Sequence, residues 1–372
     1  MAGQVKSGQA VLARLRTDFC DLMLIPGLSG HEGRVAAAIV AHLDRLGLTH
    51  RSDRLGNLIA TIPGDPARPS VMVFTHMDQL GFVIRKVEPS GLLRLERLGG
   101  VPERALAAQA VLISTRRGDL PGVIANKSHH ATTPEEKYRV VPYAELYVDA
   151  GFASHAQVTA AGIRIGDPVV YLPRVLPLHG SRLAGTSVDD RAGCAVLLTL
   201  AERLLTRRDG PTIHLVWSVQ EEFNLRGVLP AATALAPDIA LQIDLILACD
   251  TPDMTHRGEV TLGGGPAISL YSFHGRGTLN GLIPHPALVA LLEDTADLFG
   301  LPLQRSAHTG ALTDASYVQF AGPQGVACLD VGFPLRYSHS ALEVVDLADL
   351  DALVTLLDAG LARIPVGMDL NR

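Results

Sequence analysis

Two adjacent carboxylates, Glu221 and Glu222, sit in Val219-Gln220-Glu221-Glu222-Phe223, directly after the apolar run Ile213-His214-Leu215-Val216-Trp217-Ser218. That run is short and β-branched and follows Gly210-Pro211, so it reads as a buried strand. Paired carboxylates where such a strand emerges are costly unless positive charge lies beside them. A divalent metal ion is the simplest source of that charge. Four further stretches can supply the remaining ligands, most of them at the edges of apolar runs: His76-Met77-Asp78, Asp189-Asp190-Arg191, Asp244 and His339. Imidazole and carboxylate without thiolate suit zinc, cobalt or manganese, and not an iron–sulfur cluster. A carboxylate can bridge two ions ~4 Å apart, and one glutamate of the pair can bind metal while its neighbour stays free as general base toward water acidified to a pKa of ~7. Asp78, two residues past His76, is placed either to hold the imidazole's second nitrogen or simply to cap a turn. The chemistry these residues point to is hydrolysis at a two-metal centre.

The elements that must position them follow from periodicity. Residues 8–24 have a helical pattern that ends before Pro26-Gly27-Leu28-Ser29-Gly30, and a second amphipathic helix opens near Glu32 with Val35, Ile39, Leu43 and Leu46 on one face. Asp53 to Ala60 is a turn feeding a strand, and a strand over 70–75 delivers His76. From about Gly81 to Pro173 the texture changes to short apolar segments (81–87, 92–95, 110–114, 122–125, 168–172) separated by Gly, Pro and charges, with one helical turn at most near 135–138. That is the pattern of a small β-barrel or sandwich. Alternation of helix and strand returns at Asp189: helix over 192–205, strand to Glu221, helix near 228–235, strand over 244–248, helix over 285–299, strand over 326–331 and helix over 346–361. The expected fold is therefore α/β, a sheet sandwiched by helices and interrupted by a small β-rich insertion, a barrel or sandwich. Its expected boundaries are 1–78 and 177–372 for the main domain and 79–176 for the insertion. Ligand sites in open α/β sheets lie beyond the carboxyl ends of strands, where His76, Glu221 and Glu222 fall. With fourteen histidines some coincidences are certain, and His214 and His274 read as satisfied or solvated.

Composition bounds the function. At 372 residues, 47% hydrophobic and 19% charged, the chain can bury two cores. A net charge of −6 argues against nucleic acid as a partner, since phosphate binding needs a basic surface. Cys20, Cys194, Cys249 and Cys328 are far apart and lie in apolar runs, as in a reduced protein. The first residues lack a signal-peptide core and no run approaches the ~18 residues of a membrane span. A cytoplasmic location, with small substrates, peptides or further copies of the chain as partners, is the expectation.

In this order the motifs resemble one family, the tetrahedral (TET) aminopeptidases, also called glutamyl or deblocking aminopeptidases, of the di-metal peptidase clan MH. The likeness covers nearly the whole chain: Pro26-Gly27-Leu28-Ser29-Gly30-His31-Glu32, Leu55-Gly56-Asn57-Leu58, His76-Met77-Asp78 with Gly81-Phe82, Asp189-Asp190-Arg191-Ala192-Gly193, Val219-Gln220-Glu221-Glu222, Asp250-Thr251-Pro252, Thr313-Asp314-Ala315 and Arg336-Tyr337-Ser338-His339-Ser340. The resemblance implies a phosphorylase-like peptidase domain with a mixed sheet, and an inserted barrel that drives dimerisation and assembly, commonly into a tetrahedral dodecamer. It implies two divalent ions per subunit, zinc or cobalt, with manganese as a further option. Asp189 would bridge them, His76 and Asp244 would complete one shell, and Glu222 and His339 the other. Glu221 would be the catalytic base and acid, and Asp78 the orienter of His76. The implied activity is release of N-terminal residues from short peptides.

The chain departs from the family pattern at Gln79, where an acidic residue is common, at Phe223-Asn224 in place of Val-Gly, and at Ala311-Leu312 in place of Gly-Gly. Ser128 and His129 replace two prolines before His130, itself read as a surface-loop histidine. None of these removes a ligand, and all bear on substrate preference. Two rivals share the residues: a metal-dependent deacylase or amidohydrolase acting on a small metabolite, and a non-catalytic assembly protein on the same fold. The absence of a Gly-x-Ser-x-Gly elbow counts against a serine hydrolase, and adjacent glutamates do not suggest the ~5–9 Å carboxyl pair of a glycosidase. Gly275-Arg276-Gly277 with Gly281 lacks the βα turn of a dinucleotide loop and reads as a surface loop. Gly263-Gly264-Gly265 reads as a turn.

Overall fold

The computed structural model describes residues 2–207, 209–275 and 280–372, with residues 2–9 in backbone only. Arg276 and Gly277 of the glycine-rich stretch lie outside the described residues. Period-2 alternation of the central strands builds the sheet. In Val71–His76, Val73 packs into one core with Leu215 and Trp217, while Met72 and Phe74 pack into another with Val216. Both faces are apolar, as a parallel sheet covered by helices requires. Across the main sheet the strands run His50–Ser52, Leu58–Ile62, Ile213–Ser218, Val71–His76, Ile239–Leu247, Ala327–Leu335, Ala267–Phe273 and Gly281–Leu282, with Gln304–Thr309 added beside Ala267–Phe273.

The four central strands are parallel, and their register decides where chemistry can occur. Ser218 pairs with His76, Gln242 with Phe74, and Asp244 with Gly332. Asp244 is therefore level with His76, and the glutamate pair emerges just beyond, all at one carboxyl edge. Against one face pack the helices Gly33–Leu46, Val188–Leu204, Pro286–Phe299 and Leu347–Ala362, together with the first helix, Ala2–Met23. Against the other lie Leu229–Leu235 and Ala315–Val318. The helix Val188–Leu204 is buried almost throughout, but Asp189 and Asp190 at its start have non-helical backbone angles that turn the Asp189 carboxylate toward the strand ends.

Between residues 81 and 171 six antiparallel strands close a barrel: Gly81–Val87, Leu93–Leu98, Val148–Asp149, Gly118–Ile124, Ala110–Thr115 and Pro168–Tyr171. It has its own core of Phe82, Ile84, Leu93, Leu95, Val111, Ile113 and Val169. The fold is thus the expected mixed α/β sheet with an inserted barrel. A helix stands where none was anticipated, at His155–Ala161. Seven residues are too few for a periodic signal, but Ser154 caps it by accepting from the Gln157 N–H, and Gly162 ends it in the left-handed region. Ile239–Leu247 starts five residues before Asp244, because Gln242 hides the apolar run. Its amide is satisfied internally, donating to Asp244 and accepting from the Ala315 N–H. A third small sheet, Val175–Pro177 with Arg182–Gly185 and Glu343–Asp346, was also not foreseen.

The close approach of two central strands generates a test. A methyl group on Gly332 would overlap the Asp244 carbonyl on the adjacent strand. Gly332→Ala is expected to lower unfolding free energy by about 1–3 kcal/mol or more, read by urea titration, because the backbone must part to admit it. A midpoint equal to wild type would disprove this account of the strand contact.

Candidate metal centre

Each functional side chain arrives from a separate element. His76 ends one parallel strand, Glu221 and Glu222 follow a second, and Asp244 sits inside a third. Asp189 opens the long buried helix, and His339 stands in the loop after Ala327–Leu335. The structure brings these six together in two groups, His76–Glu221–Asp244 and Asp189–Glu222–His339, with the potential ligand atoms of each group within 4.8 Å of one another. Asp189 joins the two halves: its Oδ1 lies 3.1 Å from His76 Nε2 and its Oδ2 3.4 Å from His339 Nε2. Glu221, expected as base, falls beside His76 and Asp244.

The supporting bonds explain how these side chains are aimed. His76 Nδ1 lies 3.1 Å from the Asp78 main-chain oxygen and 3.5 Å from its carboxylate, so residue 78 orients the ring through its backbone first. The Asp78 carboxylate is occupied elsewhere, accepting from the Glu221 N–H at 2.9 Å and the Glu222 N–H at 3.0 Å. Glu32 extends this by accepting from the Gln220 N–H at 3.1 Å. Three successive amides are thus held by carboxylates, with Gln220 at φ +58°. On the opposite side Glu343 accepts from the Asp189 and His339 N–H groups. The inserted barrel also reaches the site: His339 Nδ1 lies 3.0 Å from the Gly100 carbonyl, and a Cβ on Gly100 would come within 2.9 Å of that nitrogen.

Electrostatically the centre is short of positive charge. Among the described residues no Lys or Arg pairs with Asp189, Glu221, Glu222 or Asp244. Burial raises the Glu221 carboxyl well above its ordinary range, and Asp244, Asp314 and Glu222 add repulsion. Burial likewise pushes Glu222 and Asp244 each up to about 7, with Asp189 adding to both. Burial opposes the charged form of both imidazoles, yet the surrounding carboxylates carry His76 and His339 well above the usual histidine value. Glu222 Oε1 is buried without a hydrogen-bond partner. Four acidic side chains with an orphaned oxygen and two imidazoles fit divalent cations, which would supply the missing charge.

The centre opens into a cleft of ≈ 870 Å³ whose walls include Arg97, Phe223, Met254, His274, Leu312 and Tyr337. His274, read from sequence as an ordinary histidine, lines this cleft. His214 is satisfied by Thr61, and His130 is exposed on a short 3-10 turn. Sequence reasoning missed Glu343, Gln242 and the barrel's Gly99–Gly100. Glu343 precedes Val344-Val345 in a four-residue strand, a signal too brief to separate from a loop.

The profile of one protein family, described as M42 glutamyl aminopeptidase, matches residues 56–356. A relative from Escherichia coli K12, SgcX, whose name assigns it provisionally as an aminopeptidase, is 38% identical over 334 residues, covering 89% of each chain. Aminopeptidase APDkam598 from the archaeon Desulfurococcus kamchatkensis superposes with a TM-score of 0.88 at 32% identity, covering 95% of each chain. The TET1 peptidase of Pyrococcus horikoshii, which can assemble into a tetrahedron or a large octahedral shell, has a TM-score of 0.84 at 27% identity, covering 94% of this chain and 99% of its own.

The double role of the Asp78 carboxylate has a measurable consequence. Asp78→Asn leaves one acceptor for two amides and turns an NH2 group toward the second. Hydrolysis of aminoacyl-anilides is expected to fall about 10–100-fold with circular dichroism unchanged. Activity within threefold of wild type would refute the role.

Proposed function

This chain belongs to the M42 glutamyl aminopeptidase family and is an aminopeptidase, and from that premise we propose that it removes N-terminal residues from short peptides at a centre of two divalent ions, zinc or cobalt, with Glu221 as general base. One observation carries the two-ion reading: the two oxygens of a single carboxylate, Asp189, face two different imidazoles, and each imidazole stands in its own group of ligand atoms. His76 and Asp244 would hold one ion, Glu222 and His339 the other, and Asp189 would be shared. Bound divalent ions supply Lewis acidity toward the scissile carbonyl and toward the attacking water. Glu221, backbone-anchored by Asp78 and close to both Asp244 and His76, is positioned to take the water proton and return it to the leaving amine.

The cleft gives room for a peptide, and Leu245, Leu247, Leu312 and Leu335 make part of its lining apolar. Phe223, Asn224 and Leu312, which depart from the family pattern, all line it, so the preferred N-terminal residue is this chain's own property. Self-association, into a dimer or a tetrahedral dodecamer, is supported by exposed apolar side chains on the inserted barrel, among them Val123, Tyr138 and Ile165. We place the enzyme in the cytoplasm, on the ground that all four cysteines are free thiols. No described helix is long and apolar enough to cross a membrane.

The base assignment is tested by Glu221→Gln, which should keep its fold and its bound metal while turnover drops about 10²–10⁴-fold. Near-wild-type turnover in that variant would show the assignment to be wrong. Chelation should abolish hydrolysis of unblocked aminoacyl-anilides, and zinc or cobalt should restore it. Restored activity on N-acyl amino acids alone would instead identify a deacylase.

A further inference from the structure

Glu343 has no part in the ligand set or in the proton transfers described above, yet it is among the most buried acidic residues of the chain at 2% exposure. It lies on the short strand Glu343–Asp346, whose partner Arg182–Gly185 leads directly into the Asp189 turn, with Gly185 paired to Glu343. Its two oxygens are divided between two ligand-bearing residues. Oε2 accepts from the Asp189 N–H at 3.0 Å, and Oε1 accepts from the His339 N–H at 2.6 Å. His339 has φ +69° and Tyr337 φ +62°, a left-handed turn that non-glycine residues seldom adopt without support. That turn is closed by paired backbone bonds between Arg336 and Val344, which hold Glu343 beneath it.

We infer that Glu343 is a positioning residue that assembles the Asp189–Glu222–His339 half of the metal centre, fixing the shared carboxylate and the second imidazole through their backbone amides. The inference rests on the two-ion reading of the site. Asp78 acts in the same way on the glutamate pair, its two oxygens accepting from the adjacent Glu221 and Glu222 amides, one residue from each group of ligand atoms. Only a carboxylate serves here, because both amides are donors and both need an acceptor. A glutamine in the same place offers one oxygen and turns an NH2 group toward the other N–H. Glu343 is absent from both groups of candidate ligand atoms, so its effect must pass through Asp189 and His339.

The experiment is a cobalt titration of metal-free wild type and Glu343→Gln, followed by calorimetry and by the visible d–d absorption of each added equivalent, with near-ultraviolet circular dichroism as the check on folding. Wild type should take up two ions per subunit. Because Asp189 is shared while His339 serves one ion only, the variant should bind both ions more weakly but unequally, one by at most about threefold and the other by about 10–100-fold, the usual cost of removing a group that orients a ligand. Two ions bound as in wild type would overturn the inference alone. Equal weakening of both ions would mark general destabilisation and overturn it as well. A wild-type chain that binds a single ion would overturn the two-ion reading and this inference with it. Should Glu343→Gln not fold, Glu343→Asp, which draws the carboxylate back by one methylene, replaces it under the same criterion.

Discussion

Four carboxylates converge at the carboxyl edge of a parallel sheet, and among the described residues no lysine or arginine pairs with them. Buried charges of one sign are costly, and a protein can relieve them by protonation, by separation or by binding cations. Separation is ruled out by the register: His76, Asp244 and the emerging glutamates are level with one another because their strands pair in parallel. Protonation is the state toward which Glu221, Glu222 and Asp244 drift when burial and mutual repulsion act alone. Divalent cations are the remaining resolution, and under the proposed two-ion reading the placement of Asp189 between two imidazoles would give each ion its own nitrogen ligand and one shared acid.

Holding those carboxylates in place falls to acids outside the two groups of candidate ligand atoms. Asp78 and Glu343 spend their oxygens on the backbone amides of Glu221, Glu222, Asp189 and His339, and Glu32 accepts from the neighbouring Gln220 N–H. Backbone amides are obligatory donors, so each such bond both satisfies a buried N–H and fixes the direction of the side chain beside it. Left-handed backbone at Gln220 and His339 is concentrated at these clamped positions, where local strain is over-determined by the surroundings.

The inserted barrel does more than extend the surface. Its Gly99–Gly100 turn presses against Glu222 and His339, and the Gly100 carbonyl sets the ring orientation of His339. Beside the dimerisation and assembly expected of it from the family resemblance, the barrel forms one wall of the cleft, through Arg97, Gly99, Gly100 and Pro102. The barrel that supplies this wall has a closed set of strands and its own core.

Much of this was legible in the primary structure. Types of candidate ligand, their order along the chain and the placement of some at strand ends follow from hydrophobic periodicity and from the cost of unpaired acids, as at Val71–His76 and Ile213–Ser218. The change of texture after residue 80 announced a small β-barrel or sandwich, and the closed strand order decided for the barrel. Only the tertiary structure decided that Gln242 belongs inside a strand, that Glu343 answers the amides of Asp189 and His339, and that Gly100 touches His339 across 239 positions. The physical reason is that periodicity encodes which face a side chain takes, whereas the direction of a backbone N–H and the partner it meets depend on register between segments far apart in the chain.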